Sequence, residues 1–233
     1  MDTDRLRDLY DRLHAAYGPQ GWWPATERFE MIAGAILTQR TAWRNAEQAI
    51  EQLRVDGLLS VAAIHDATIE RLIEAIRPAG FYHGKARKLK AFAAHAAEHY
   101  GGDLGRLFAV QGDVLRRELL GLHGIGEETA DAILVYAAEV PTFVIDAYAR
   151  RLLARLGWIE GGEPYEQLRR MFLDRLPHDA RRLGEYHALI VRHGKAHCRA
   201  APICTDCPLQ TICGGSIGDS LRDAVRRMPG RTV

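Results

Sequence analysis

Apolar residues recur along the chain at three- and four-residue intervals, and no stretch shows the strict alternation of a half-buried strand. Leu6, Leu9, Tyr10, Leu13 and Tyr17 predict an amphipathic helix over 3–17. Phe29 to Leu37 is so apolar that it predicts a buried helix, continued by the polar run Thr38-Gln39-Arg40-Thr41-Ala42-Trp43. Helical patterns follow at 45–54, 60–64, 68–77, 89–100 and 112–120. Past residue 146, Leu152, Leu153 and Leu156 give a helix from Ala147 to Leu156 an apolar side, with Arg150, Arg151 and Arg155 opposite and Gly157 as its stop. Two more helices are predicted at 165–175 and 183–193. The pattern implies an all-α protein of many short helices, without internal repeats, ending in a glycine- and arginine-rich tail over 214–233.

Two breaks in this pattern carry candidate chemistry. The first is Leu120-Gly121-Leu122-His123-Gly124-Ile125-Gly126-Glu127-Glu128-Thr129-Ala130. It reads as a helix end, a tight turn and a new helix start. Gly124 and Gly126 permit positive φ and close approach of another molecule. The N–H groups opening the next helix, near Thr129, suit a DNA phosphate; an ordinary αα-hairpin is the plainer alternative. The second break is Arg77-Pro78-Ala79-Gly80-Phe81-Tyr82-His83-Gly84-Lys85-Ala86-Arg87-Lys88. Lys85 and Lys88 stand in the first turns of a new helix, where cations oppose the dipole, so their placement favours an external anion over helix stability. A solvated charged face is the alternative.

Composition narrows the class. The 233 residues suit one large domain or two small ones, and the formal net charge of +1 makes no global case for nucleic acid. No apolar run is long enough to cross a bilayer and no signal segment opens the chain, so a cytoplasmic protein is expected. All four cysteines fall in Cys198-x5-Cys204-x2-Cys207-x5-Cys213. Such a set suits a [4Fe–4S] cluster or a tetrahedral zinc, and the wide outer spacings favour the larger object. Free buried thiols are the remaining reading. The tryptophans Trp22, Trp23 and Trp43 form either core plugs or the aromatic wall of a pocket.

The glycine turn, the apolar run after it and Val144-Ile145-Asp146 together resemble the helix-hairpin-helix and Gly/Pro-rich loop with its Asp in the endonuclease III superfamily of DNA glycosylases. Gly80-Phe81-Tyr82 with Lys85-Ala86, and His193-Gly194-Lys195 ahead of Cys198, extend the likeness over nearly the whole chain. The family's cysteine loop has one residue more between its first pair than the five seen here. Bifunctional members of the family carry a lysine where this chain has Glu128, and a glutamate cannot form a Schiff base. No lysine elsewhere in the hairpin replaces it. The resemblance therefore implies a monofunctional member in which water is the nucleophile and Asp146 stabilises an oxocarbenium-like centre.

Trp22-Trp23-Pro24, Leu37-Thr38-Gln39, Trp43, Arg77 to Tyr82 and Gly124 to Glu128 look most like the 3-methyladenine branch. An N-alkylated purine carries positive charge, which suits aromatic faces and the Glu128 carboxylate. The base must leave the duplex first. Gln39 is expected to fill the hole, Phe81 or Tyr82 to wedge the opposite strand, and Lys195 to reach the pocket or a phosphate. The resemblance also implies two helical lobes with a DNA-binding cleft. One spans 25–130 with the hairpin; the other joins 1–24 to 131–213 and holds the cluster. The expected partner is double-stranded DNA containing a damaged base, met by a monomer without membrane contact. The competing readings are an endonuclease III-like glycosylase for oxidised pyrimidines or mismatched bases, and a non-catalytic DNA-damage-binding protein.

Overall fold

Short polar side chains mark where the helices begin. Asp2, Ser60, Thr68, Asp103, Asp146 and Asp179 each accept a hydrogen bond from a backbone N–H two or three residues on, satisfying donors that the helix itself leaves open. The computed structural model describes residues 2–22, 25 and 27–213; Trp23 and the expected tail over 214–233 lie outside the described residues. In chain order the helices are α1 (Thr3–Tyr17), α2 (Arg28–Leu37), α3 (Trp43–Val55), α4 (Val61–Asp66), α5 (Ile69–Ala75), α6 (Tyr82–Tyr100), α7 (Leu104–Phe108), α8 (Gly112–Gly121), α9 (Glu127–Ala132), α10 (Ala147–Arg155), α11 (Tyr165–Leu173) and α12 (Ala180–Ala196). A 3₁₀ turn, Arg77–Ala79, precedes α6, and a π-helical segment, Ile133–Ala137, prolongs α9. No strand occurs among the described residues, and none of their helices is long and apolar enough to cross a membrane.

The chain divides into two compact units, with breaks at Trp22–Trp23 and Val140–Pro141. In the continuous unit, α2 is buried along nearly its whole length, with Ile32, Ala33, Ile36 and Leu37 fully enclosed. It packs against α3, α6 and the π segment. Ile133, Leu134 and Ala137 belong to this core, so the unit runs ten residues past the expected break at 130. In the discontinuous unit, α1 returns to the C-terminal part of the chain and lies on α12, and α10 packs on the same helix. Leu6, Leu9 and Leu13 are fully buried. The Tyr186 hydroxyl donates to the Leu6 carbonyl at 2.8 Å, tying α12 to α1. Phe143 and Phe172 stack with their centroids 3.7 Å apart, and Tyr186 meets both edge-on.

The structure departs from the sequence reading in three helices. The region expected to be a loop after residue 100 contains α7, which needs only five residues and the Asp103 cap. The helix expected over 89–100 is continuous with the one carrying the lysines. The helix expected over 183–193 starts earlier and ends later, because Asp179 caps it at Ala180.

Candidate functional site

The glycine turn sits in the continuous unit between α8 and α9, and its two glycines do different work. Gly124 has φ +75, a left-handed conformation, and a Cβ there would lie 2.4 Å from Lys88 Cε. Glycine is required by the chain's own packing. Gly126 has φ −95 and ψ 178, which any residue adopts, and a Cβ there would meet nothing within 4 Å. It therefore leaves open space in front of the α9 N-terminus, which has no side-chain cap. Ile125 between them is buried and pins the turn to the core, and the Ile125 N–H donates to the Leu122 carbonyl at 3.1 Å. Glu127 and Glu128 occupy the first turn of α9, and both are exposed. Behind the turn, Arg116 on α8 makes a two-pronged pair with the fully buried Asp131 at 2.9 and 3.0 Å.

A polar network ties this turn to two other elements. Gln39, just past α2, donates from Nε2 to Thr129 Oγ1 at 2.8 Å, and its Oε1 accepts from the Lys88 ammonium. The Lys88 stem crosses Gly124. A lysine from α6, outside the hairpin in sequence, is thus brought against it in space. Lys85 also departs from expectation. It is 2% exposed, and its ammonium donates to the carbonyls of Leu37 and Ala79, both at 2.8 Å. Burial, with Lys88 as a lesser cause, pulls its pKa down to about 8. Lys85 is a brace between the end of α2 and the turn before α6, and it is not placed to meet a phosphate.

Phe81 stands at the start of α6 with φ 47 and ψ 29, and is 66% exposed. A bulky residue in the left-handed region costs on the order of 1–3 kcal/mol. Tyr82 beside it is half-buried under the Arg77 guanidinium, 5.5 Å from its ring. Trp43, the first residue of α3, is half-buried against the core of the same unit.

The discontinuous unit gathers Asp146, Lys195 and Trp22. Asp146 is the N-cap of α10: its Oδ1 accepts from the Ala149 N–H at 2.7 Å. Its Oδ2 lies 3.5 Å from His187 Nε2 on α12, and the Asp146 side chain is 13% exposed. The Lys195 ammonium lies 5.6 Å from the centroid of the Trp22 ring. Burial lowers the Lys195 pKa, while the Asp146 carboxylate opposes that shift. Burial, and then the same carboxylate, pushes the Tyr148 phenol up. A Cβ on Gly194 would lie 2.3 Å from Tyr148 Cδ1, so the glycine of His193-Gly194-Lys195 lets α12 approach α10. His187, Tyr148 and this role of Gly194 were not foreseen, because each acts through a neighbour distant in sequence.

The cysteines follow α12. Arg155, buried at the end of α10, donates from Nη1 to Cys198 Sγ at 3.2 Å and to the Arg199 carbonyl at 2.6 Å. Cys213 Sγ lies 3.5 Å from the Arg155 carbonyl, and Cys207 Sγ lies 4.0 Å from His193 Nε2. Burial pushes His193 down to about 4, leaving a neutral imidazole, and burial pushes the Cys207 thiol up, with Cys204 and Cys198 adding to that rise. Cys198 is buried and Cys204 exposed. Among the described residues, no three His, Cys, Asp or Glu side chains converge tightly enough for one metal ion.

The chain is similar to known DNA repair proteins. Residues 33–178, which include the hairpin and Asp146, match the HhH-GPD superfamily base excision DNA repair protein family. A Methanocaldococcus jannaschii protein named as a DNA repair glycosylase is 43% identical over 212 residues, covering 90% of this chain and 96% of its own length. Endonuclease III of Sulfolobus acidocaldarius is 30% identical over 187 residues, with 79% and 81% covered. The structure of the H. pylori 3-methyladenine DNA glycosylase bound to 1,N6-ethenoadenine superposes with a TM-score of 0.72 at 26% identity, covering 84% of this chain and 98% of that one. With the uncapped glycine turn, the carboxylate N-cap after it and a family match over more than half the residues, the chain belongs to the HhH-GPD superfamily and is a DNA-binding N-glycosylase of base excision repair.

Proposed function

We propose that this glycosylase is monofunctional and releases an N-alkylated purine such as 3-methyladenine, with water as the nucleophile. Glu128 carries the reading: the first turn of α9 presents a carboxylate where bifunctional relatives present the Schiff-base amine. Asp146 supplies the anion for an oxocarbenium-like centre. Its Oδ1 caps α10 and its Oδ2 faces His187, which together hold the carboxylate in one orientation. The 3-methyladenine glycosylase relative supports the substrate class. Trp22 offers a face suited to a cationic base, at present covered by the Lys195 ammonium, which an incoming base must displace. Phe81 is the wedge, its exposed ring held out by a strained backbone. Gln39 acts with it by keeping the end of α2 locked to the hairpin.

Cys198, Cys204, Cys207 and Cys213 fit a [4Fe–4S] cluster, in which each iron takes one thiolate and the sulfurs need not converge on a point. Arg155 beside Cys198 offsets thiolate charge. When bound, the cluster would fasten the loop over 198–213 to α10 and α12, a structural role.

Two observations favour a second reading, an endonuclease III-like enzyme for oxidised pyrimidines or mismatched bases with strand-cleaving activity. They are the endonuclease III relative and Lys88, whose stem crosses Gly124 and whose ammonium reaches Gln39 beside the hairpin. A panel of single-lesion duplexes, with base release scored separately from strand cleavage, decides between them. The proposal expects free 3-methyladenine, intact abasic strands and no borohydride-trapped adduct. Trapping that disappears in Lys88→Gln would replace it with the second reading.

A further inference from the structure

A depression of about 510 Å³ lies in the continuous unit, separate from Gly126 and the α9 N-terminus. Its lining includes His65 at the end of α4, Arg87 and Lys90 on α6, and His123 in the hairpin turn, together with the apolar Ile69 and Ala91. No carboxylate lines it. Lys90 makes the depression rigid: its ammonium donates to the carbonyls of His65 and Ala67 at 2.5 and 2.9 Å, locking the end of α4 to α6. That lock also fixes a positive charge in the wall. Arg87 and His123 are exposed, and His65 Nδ1 is 3.0 Å from Asp66 Oδ1, which leaves Nε2 as its second polar atom. Cations and imidazoles beside apolar side chains match a phosphodiester with its sugar: the guanidinium takes the phosphate fork-wise, and Ile69 and Ala91 meet the deoxyribose.

His123 immediately precedes Gly124, so this surface adjoins the glycine turn. The geometry points to a second backbone-binding site, in which Arg87 and His123 hold a phosphate of the duplex outside the hairpin's own grip and Lys90 keeps the wall in place. The site rests on DNA binding by the hairpin and is independent of which lesion is excised.

The test is equilibrium binding of an undamaged duplex followed by fluorescence anisotropy over a salt series. Each lost phosphate contact flattens the plot of log affinity against log salt by about 0.9. Arg87→Ala is expected to flatten the slope by about 1 and to weaken binding severalfold at low salt, and His123→Ala to weaken binding. Arg87→Gln, which keeps the stem, is expected to behave like the alanine variant, and so separates loss of charge from loss of fold. Arg106→Ala, which removes an exposed α7 arginine paired with Asp103, is expected to leave the slope unchanged. A wild-type slope and affinity in Arg87→Ala and Arg87→Gln would overturn the site. An equal effect of Arg106→Ala would reduce it to general charge and overturn it as well.

Discussion

Asp146 holds two roles that a single substitution can separate. Its Oδ1 caps α10 and its Oδ2 faces the buried His187. Asparagine caps a helix about as well as aspartate but carries no charge. Asp146→Asn is therefore expected to keep the thermal midpoint within a few degrees while single-turnover base release falls by roughly 100-fold or more. An active Asp146→Asn enzyme would remove the carboxylate from the mechanism. Lys85 makes a residue-scale prediction of another kind. Its pKa is about 8 in the folded protein against an ordinary 10.5. Between those values the unfolded chain holds a proton that the folded one releases, so the Lys85 contribution to stability rises with pH across that window. Below pH 8 both states are protonated and the full cost of burying the charge persists. Urea unfolding between pH 7 and 11 should show this rise in the wild type and its loss in Lys85→Met. Equal curves for the two proteins would mean that the burial is not felt. The sequence shows Lys85 as a cation on a new helix, but only the fold shows that its stem enters the core between Leu37 and Ala79.

The hairpin is an element whose glycines looked equivalent in sequence and are not. Gly124→Ala must enter the left-handed region and displace the Lys88 stem, so it is expected to destabilise the protein by about 1–3 kcal/mol. Gly126→Ala meets neither obstacle and should cost less than about 1 kcal/mol. Its expected effect is on DNA affinity, because the added methyl fills the space before the uncapped α9 N-terminus. Chemical unfolding and duplex binding, measured on both variants, should separate the two glycines. Equal losses of stability would contradict the geometry. Most helix positions were legible from the apolar periodicity, while the cap at Asp179 moved the start of α12 ahead of its periodic pattern. α7 escaped notice because five residues give too short a periodic signal.

At the scale of the whole molecule, the cysteine loop and the N-terminal helix belong to one unit, and the contacts that tie them span 180 and 199 positions of the chain. Tyr186 donates to the Leu6 carbonyl, and Arg12 on α1 donates to Thr211 Oγ1 at 2.9 Å. An exposed thiol such as Cys204 contributes little to packing by itself. If it holds an iron, Cys204→Ala should abolish the visible absorbance of the purified protein and lower its thermal midpoint by several degrees. A colourless wild type, or a variant with unchanged colour and midpoint, would leave the loop without a cluster.

The sequence alone determined the helical class, most helix positions, the glycine turn, the carboxylate after it and the cysteine set. These are short-range properties: periodicity, capping and ligand spacing act along the chain. The tertiary structure decided which lysine is buried and which lies across Gly124, why Gly194 must be a glycine, and that His187 and Lys195 are the neighbours of Asp146. Those facts join residues tens of positions apart. They arise where α2 meets α6 and where α10 meets α12, through contacts that spacing along the chain does not encode.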